Sequence, residues 1–304
     1  MARFASIVAH RASDTAPDSR HTQRSLLAEV LMFIQEKKTA LVTGASSGWG
    51  KPLPVVLSEG YGLRCCPAAR ENGRSGFARG PMPADGSLTT GRSVGGREHH
   101  SVSDRRVDVL VNNAGFGLYG PVEEIGIDEA RYQFEVNLFG AAHLTQLLLP
   151  AMRARRRGYI VNISSMGGKM YSVLGAWYHA TKHALEGWSD CLRLEVADFG
   201  IKVVIIEHGV IETGFGDAAS ESIVKRSATG PYGQLVKGSP CRSKNVRPWH
   251  RQRPADDRRG GLVAVKASNP RPRYAVGKYA KLLIRMRVWL GDRLFDRIIL
   301  SQMR

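Results

Sequence analysis

The sequence of 304 residues predicts an α/β protein, a single domain built around a doubly wound parallel sheet. Three observations predict it. Short runs of aliphatic and β-branched residues indicate strands that are covered on both faces, as in parallel sheets. Segments with helical periodicity follow these runs at the spacing of right-handed βαβ units. The length is also within the range of one such domain with extensions.

The predicted strands are short and spread over two thirds of the chain. They are Ala40–Val42 within Thr39–Thr43, Val107–Val111, Tyr159–Ile163 and Lys202–Ile206. Two segments between them, Ile127–Arg155 and Ala176–Asp198, carry apolar residues at steps of three and four and are predicted helices. Because helices alternate with strands in this order, we expect the helices to form the connections between parallel strands of the sheet.

Two stretches lack this pattern. The 45 residues from Gly62 to Arg106 contain 8 Gly, 8 Arg and 3 Pro, with strand character only near Leu63–Cys66, and residues 238–262 are similarly rich in Arg and Pro. We therefore expect a domain at 38–275 with atypical parts at 62–106 and 238–262. Residues 1–37 are predicted to be a disordered extension, and 276–304 a basic amphipathic segment.

The formal net charge of +17 would ordinarily indicate nucleic acid or an anionic membrane as a partner. The excess is not evenly distributed, because residues 216–304 carry 20 basic and 6 acidic side chains whereas residues 39–215 carry 18 and 17. No aromatic-basic platform or known motif accompanies it, so nucleic-acid binding is not expected. Two interpretations of Lys278–Arg304 stay open: peripheral contact with a membrane, or an apolar face that covers the substrate pocket or a subunit contact.

The cysteines and the start of the chain bear on location. The four cysteines form no Cys-x-x-Cys pair, which argues against a zinc site or a disulfide framework. The apolar stretch Leu26–Ile34 is too short to span a membrane and has no cleavage site after it. These features predict a cytoplasmic protein with reduced thiols.

Two loops follow predicted strands at the edge where α/β sheets bind ligands. Thr43-Gly-Ala-Ser-Ser-Gly-Trp-Gly50 comes directly after the first strand. Its glycines allow the backbone to approach a pyrophosphate at the start of a helix. Asn112-Asn-Ala-Gly115 ends the second predicted strand. A glycine-rich turn alone is weak evidence, but its position here favours a nucleotide site.

A third signal lies on the last predicted helix of the core. Tyr178 and Lys182 are four residues apart and share a helix face, and Ser165 lies 13 residues before Tyr178, just after a strand. We expect the nearby cation to lower the pKa of the tyrosine and make it a usable acid and base. The pair Tyr274 and Lys278 has the same spacing but no preceding serine strand, so the spacing alone carries little weight.

Together these motifs resemble the short-chain dehydrogenase/reductase family of bacterial type. The resemblance covers roughly residues 39–215 and agrees in order and spacing as well as identity, at Thr43-Gly-x-x-x-Gly-x-Gly50, Asn112-Asn-Ala-Gly115, Asn137, Ser165 and Tyr178-x-x-x-Lys182. It implies a Rossmann-like fold and an NAD(P)-dependent oxidoreductase that interconverts an alcohol and a carbonyl. We also expect a small lipophilic substrate, a homo-oligomer and no metal.

The resemblance also implies roles for single residues. Tyr178 would be the acid or base at the reacting oxygen, and Ser165 would donate a hydrogen bond to that oxygen. Lys182 would hold the nicotinamide ribose, and Asn137 would position a water of the proton relay. The implied cofactor-binding residues are Gly44, Ser46, Ser47, Gly48, Gly50, Arg70, Asp85, Asn113, Ala114, Gly115, Tyr178, Lys182 and Thr213.

The preferred cofactor depends on the end of the second strand of the family fold. Arg70 falls near that end, where arginine suits the 2′-phosphate of NADP, and Glu71 follows it directly, where an acidic residue would suit NAD. The sequence therefore favours NADP over NAD, with a mixed signal.

Several residues depart from the family pattern. Trp49 stands between the last two glycines, Pro52 and Pro54 follow within the first helix, and His208 stands where the family has proline. We hypothesise that parts of 51–106 and 238–262 are translated out of frame, which resequencing of the coding DNA would test. The alternative prediction is therefore a catalytically impaired protein with a damaged cofactor site.

Overall fold

The computed structural model confirms the predicted doubly wound parallel sheet. The strands are β1 (Thr39–Thr43), β2 (Arg64–Ala68), β3 (Val109–Asn112), β4 (Gly158–Ser165), β5 (Ile201–His208) and β6 (Arg273–Val276). All are parallel, in the order β2-β1-β3-β4-β5-β6. The structure describes residues 38–45, 57–58, 64–68, 106–209, 223–227, 229–238, 267, 269–277 and 279–301. The predicted extension 1–37 and most of 62–106 and 238–262 lie outside these ranges.

The predicted helices are present, one of them in three parts. The helices are α1 (Ile127–Phe134), α2 (Gly140–Ala154), α3 (Ala176–Glu195), α4 (Gly233–Gly238) and α5 (Ala280–Ser301). A π-helical turn at Glu135–Phe139 joins α1 to α2. Such turns are rare and often occur at functional sites.

Two apolar clusters cover the two faces of the sheet. Each central strand contributes to both, because successive side chains of a strand point to opposite faces. Val42, Val111 and Ile206 belong to one buried cluster. Leu41 and Leu110 belong to the other, together with apolar residues of α2 and α3 that include Leu144, Met152 and Leu192. Burial on both faces explains why these strands are near-continuous apolar runs in the sequence.

The two strands at the edges of the sheet are those with the weakest sequence signal: strand character near Leu63–Cys66 indicated β2, and no pattern indicated β6. β2 pairs with β1, with Cys66 opposite Leu41, and β6 pairs with β5, with Tyr274 opposite Ile206. The four residues of β6 are only half-buried. An edge strand of this length lacks the long apolar run that identified the central strands.

The order of the strands fixes where a ligand can bind. The chain leaves β1 for β2 on one side of it and returns to β3 on the other side. In open parallel sheets the ligand crevice lies outside the carboxyl ends of the strands at such a point of reversal. Gly44 follows β1 and Asn113 follows β3, so the described residues of both predicted loops lie at this crevice.

Candidate active site

The loops after β1 and β3 are joined by hydrogen bonds of Thr43 and Asn113. The Thr43 hydroxyl accepts the backbone N–H groups of Asn113 and Ala114, both at 3.0 Å. The Asn113 side-chain amide donates to the carbonyls of Thr43 at 2.9 Å and Gly44 at 3.1 Å. These bonds hold the two loops together in one conformation, and the Asn113 side chain stabilises this arrangement.

Close approach of the two loops requires glycine at position 44. Gly44 has φ +64°, and a Cβ atom added there would lie 2.7 Å from the Ala114 Cα. Gly115 is closely packed as well, because a Cβ there would lie 3.1 Å from the Asn137 Oδ1 and 3.8 Å from the Lys182 Nζ. The absence of a side chain at both positions therefore lets the backbone of the two loops approach Asn137 and the lysine.

The structure describes six of the predicted cofactor-binding residues, and all lie after β1, after β3 or on α3. They are Gly44, Asn113, Ala114, Gly115, Tyr178 and Lys182. The other predicted members lie outside the described residues. They are Ser46, Ser47, Gly48, Gly50, Arg70, Asp85 and Thr213. Arg70 comes two residues after the end of β2 in the sequence, and the family pattern predicted it near the end of the second strand.

Asn137 lies in the π-helical turn and is buried. Its Oδ1 accepts the backbone N–H of Phe116 at 3.0 Å, and its amide group donates to the Phe116 carbonyl at 2.9 Å and to the Thr181 hydroxyl at 3.1 Å. Both amide hydrogens are thus used within the protein. A water bound by this side chain would have to donate to Oδ1.

Ser165, Tyr178 and Lys182 meet at the carboxyl end of β4. Ser165 ends this strand, and its hydroxyl is hydrogen-bonded to the Tyr178 side chain and accepts the Gly167 N–H at 3.1 Å. The Lys182 Nζ lies 6.0 Å from the centre of the Tyr178 ring and donates to the Ile163 carbonyl at 2.8 Å. All three side chains are at most 6% exposed.

Burial controls the protonation of this group. Burial raises the pKa of Tyr178 to about 12, and the hydrogen bond with Ser165 opposes this increase. Burial lowers the pKa of Lys182 to about 8, and the carboxylate of Glu186 opposes this decrease. The predicted lowering of the tyrosine pKa by Lys182 is therefore wrong in this structure, because desolvation of the phenolate dominates and the Lys182 Nζ is bonded to the Ile163 carbonyl.

His179 is four residues from His183, a spacing compatible with metal ligands on a helix, and in the structure it holds a loop by hydrogen bonds. Its Nε2 accepts the Ser172 N–H at 3.1 Å, so the ring proton is on Nδ1, which donates to the Gly167 carbonyl at 2.9 Å. Burial lowers the pKa of His179 and keeps it neutral. These bonds fix the loop between Ser165 and Tyr178. His183 bonds the His179 carbonyl instead of a shared ion, and the described part of the chain holds no cluster of three metal-ligating side chains.

His208 supports Ser165 through its backbone. The Ser165 hydroxyl lies 3.4 Å from the His208 carbonyl, and the His208 Nδ1 bonds the Gly209 carbonyl at 3.0 Å. Burial lowers the pKa of this imidazole to about 4, so it is neutral at physiological pH. The histidine that replaces the family's proline therefore adds no charge next to the site.

An apolar wall stands beside Tyr178. The Tyr119 ring lies 5.4 Å from the Tyr178 ring, between centroids, and packs with a cluster that contains Leu174, Ile223 and Val236. Arg226 anchors the helical turn at 223–227, because its guanidinium donates to both carboxylate oxygens of Glu129 at 2.7 and 2.8 Å. Sequence reasoning missed this wall, because its members come from three distant segments.

Comparison with known proteins gives one family. The sequence model described as short chain dehydrogenase matches residues 98–223. A 3-ketodihydrosphingosine reductase of Bacteroides thetaiotaomicron is 34% identical over 261 residues, which cover 84% of this chain and 94% of that protein. An NADPH-dependent 3-dehydrocapnine reductase of Ornithobacterium rhinotracheale is 32% identical over 228 residues, 68% of this chain and 74% of that protein.

A solved structure of a short-chain dehydrogenase has a similar fold. A short-chain dehydrogenase from Streptomyces avermitilis superposes with a TM-score of 0.58 at 28% identity, over 88% of this chain and 95% of that one. Sequence, fold and the position of the crevice thus lead to the same assignment.

Proposed function

Because the chain belongs to the short-chain dehydrogenase/reductase family, it is an NAD(P)-dependent oxidoreductase, and we propose that it reduces the carbonyl group of a small lipophilic substrate with NADPH. The observation that carries the proposal is the buried group of Ser165, Tyr178 and Lys182. Its tyrosine is protonated at neutral pH, as an acid that gives a proton to a carbonyl oxygen must be.

We infer that a nicotinamide nucleotide binds at this crevice, because the loops after β1 and β3 meet there through backbone at Gly44 and Ala114, and Lys182 lies beside Gly115. We assign Gly44, Asn113 and Gly115 to the cofactor crevice. A bound nicotinamide cofactor supplies the hydride.

The residues of the chain supply the proton and the orientation. The Tyr178 hydroxyl donates its proton to the carbonyl oxygen as charge develops there, and the Ser165 hydroxyl donates a hydrogen bond to the same oxygen. The Lys182 ammonium provides a positive charge near the phenolate that remains. In the oxidative direction the same phenolate takes the proton from the alcohol.

Two observations support a lipophilic substrate. The wall of Tyr119, Leu174, Ile223 and Val236 offers apolar contacts beside Tyr178. The two relatives named above are reductases of 3-ketodihydrosphingosine and 3-dehydrocapnine, and one of them is NADPH-dependent. Arg70, two residues beyond β2, supports the same cofactor.

The proposal is tested by NADPH oxidation with 3-ketodihydrosphingosine as the probe substrate. We expect Tyr178→Phe to lower kcat by about 100-fold or more, because the proton donor is removed while the ring is kept. The matched control is Tyr274→Phe, since Tyr274 heads the second Tyr-x-x-x-Lys sequence but lies on β6. Equal activity in Tyr178→Phe and the wild type would falsify the assignment.

The other predicted properties are assembly and location. We propose a homo-oligomer, supported by Ile127 and Phe139, which are 53% and 52% exposed on the α1 to α2 side. A cytoplasmic location stays a prediction. Within the ranges that the structure describes, no helix has both the length and the apolar character needed to cross a bilayer.

A further inference from the structure

One side of the first half of α5 is exposed and combines apolar with basic residues. Leu282, Val288 and Trp289 are 54%, 71% and 78% exposed, and Lys281 and Arg285 are exposed beside them. The five positions follow a spacing of one, three or four residues and therefore share one helix face. None of the five side chains is acidic. We name this set the 281–289 face.

The opposite side of α5 is firmly packed. Ala280 and Phe295 are fully buried, and the Phe295 ring lies edge-on to the Tyr171 ring at 5.2 Å. The Tyr171 hydroxyl donates to the Asp296 carboxylate at 2.8 Å, and the Arg287 guanidinium lies 5.0 Å from the Tyr171 ring centre. Of these contacts, those of Ala280 and Arg287 anchor the first half of α5, which carries the 281–289 face.

A kink separates this face from the rest of α5. Gly291 has φ +66° and ψ 176°, which breaks the helix, and an ion pair of 2.6 Å between Arg287 and Asp292 spans the break. The acidic residues of α5, Asp292 and Asp296, both come after the kink. The first half thus presents a purely basic and apolar surface.

We propose that the 281–289 face docks on the surface of an anionic lipid bilayer. An interfacial helix buries Trp, Leu and Val side chains at the boundary between headgroups and acyl chains, while Lys and Arg meet the lipid phosphates. A second copy of the chain is a poorer occupant. Around a two-fold axis it would bring Lys281 and Arg285 of both copies together, and the face has no carboxylate to pair with them.

Docking has a consequence for the active site. Tyr171, which holds α5, belongs to the loop between Ser165 and Tyr178. Helix α5 therefore lies between the 281–289 face and the loop that borders the reacting group. Delivery of a lipophilic substrate from the bilayer rests on the proposed function, whereas docking itself does not.

Co-sedimentation of the full chain with vesicles tests docking without any enzyme assay. One set of vesicles is pure phosphatidylcholine, and the other contains about 30% phosphatidylglycerol, an anionic content that gives each nearby Lys or Arg roughly a fivefold gain in binding. We expect binding to the anionic vesicles, at least about tenfold weaker binding of the double variant Val288→Ser, Trp289→Ser, and weaker binding of Lys281→Gln, Arg285→Gln.

The matched control is Leu194→Ser, because Leu194 is 72% exposed near the end of α3, on a different helix. Circular dichroism checks that each variant is folded. Binding that persists in the double variant, or falls equally in Leu194→Ser, overturns the proposal. It is also overturned if sedimentation velocity shows that the double variant loses self-association while vesicle binding is absent in the wild type.

Discussion

Burial acts on Tyr178 and Lys182 in the same sense, since it favours the uncharged form of each. The pKa of Tyr178 rises to about 12 and that of Lys182 falls to about 8. At pH 7 the tyrosine holds its proton and the lysine is still mostly charged. This combination suits reduction of a carbonyl, in which the proton leaves Tyr178 while Lys182 stabilises the resulting negative charge.

We predict that Lys182 makes the stability of the fold depend on pH. The folded pKa of about 8 lies below the reference value of 10.5, so between these limits the unfolded chain binds more protons than the folded one. The free energy of unfolding therefore rises with pH in this window, by on the order of 2–3 kcal/mol in total. Urea unfolding at pH 7.5 and pH 10 should show this gain in the wild type.

The comparison variant is Lys182→Met, which fills similar space without a charge. Its stability relative to the wild type should fall as pH rises from 7.5 to 10. Lys281→Met removes an exposed lysine and serves as the control for general effects of pH. A constant difference between Lys182→Met and the wild type would show that Lys182 is not desolvated as the structure indicates.

Single residues were predictable where a backbone pattern places them. Ser165 ends β4, and Tyr178 and Lys182 share a face of α3, so the spacing together with the order of strand and helix brought them to one site. His179 was not predictable, because its partners are the Gly167 carbonyl and Ser172 in an irregular loop. The direction of the Tyr178 pKa was also missed, since burial depends on the whole surroundings.

At the scale of elements, Arg273 joins the edge strand β6 to the catalytic helix α3. Its guanidinium contacts Glu186 at 3.0 Å and Glu207 at 3.3 Å, and it also pairs with Asp190. Glu186 and Glu207 are almost fully buried. Burial and the nearby Glu186 carboxylate raise the pKa of Glu207 to about 7, although Arg273 and Lys169 oppose this. Arg273 thus compensates several buried negative charges.

We predict that Arg273→Met destabilises the fold by about 3–5 kcal/mol at pH 8, because it leaves buried carboxylates without their partner. The loss should shrink towards pH 5. Without Arg273 the folded pKa of Glu207 rises further above its unfolded value, so protonation of this carboxyl at lower pH relieves the repulsion. Denaturant unfolding at the two pH values measures both effects.

The control for this prediction is Arg131→Met. Arg131 and Asp128 pair at 3.0 Å on the surface of α1, with both side chains mostly exposed. An exposed pair of this kind contributes at most about 0.5 kcal/mol. Similar losses in Arg131→Met and Arg273→Met would contradict the bridging role.

The elements themselves were predictable in proportion to their burial. The central strands β1, β3, β4 and β5 are apolar on both faces and could be predicted from the sequence, with bounds that differ by one or two residues. The edge strand β2 showed only weak strand character near Leu63–Cys66 and β6 showed none, since pairing on one side only leaves little pattern. The π-helical turn was missed as well, because its residues fit the helical period on either side.

At the scale of the whole molecule, the charge of +17 divides into regions with different roles. The nearly neutral residues 39–215 include strands β1 to β5 and the candidate site. The basic last third includes Arg273, which neutralises buried carboxylates, and the 281–289 face, which is exposed. The net charge alone therefore does not identify a binding partner. Its meaning depends on which positive side chains are paired and which face solvent.

A bound cofactor should stabilise the whole fold against unfolding. A ligand that binds only the folded state adds about 2.7 kcal/mol to the free energy of unfolding at 100 times its Kd. For a domain of this size, each kcal/mol raises Tm by about 2–4 °C. We expect saturating NADPH to raise Tm by several degrees, and NADH to raise it less if Arg70 selects the phosphorylated cofactor. Thermal scans with each nucleotide measure this directly.

Two glycine variants make the measurement specific for the crevice. In Gly44→Ala the new methyl group meets the Ala114 Cα at 2.7 Å, so the loops must separate and the shift with NADPH should be lost. In Gly187→Ala the new methyl group has no atom within 4 Å, so the shift should remain. A wild type whose Tm does not respond to either nucleotide would contradict the enzyme proposal and favour the impaired alternative, in which the atypical residues 62–106 have damaged the cofactor site.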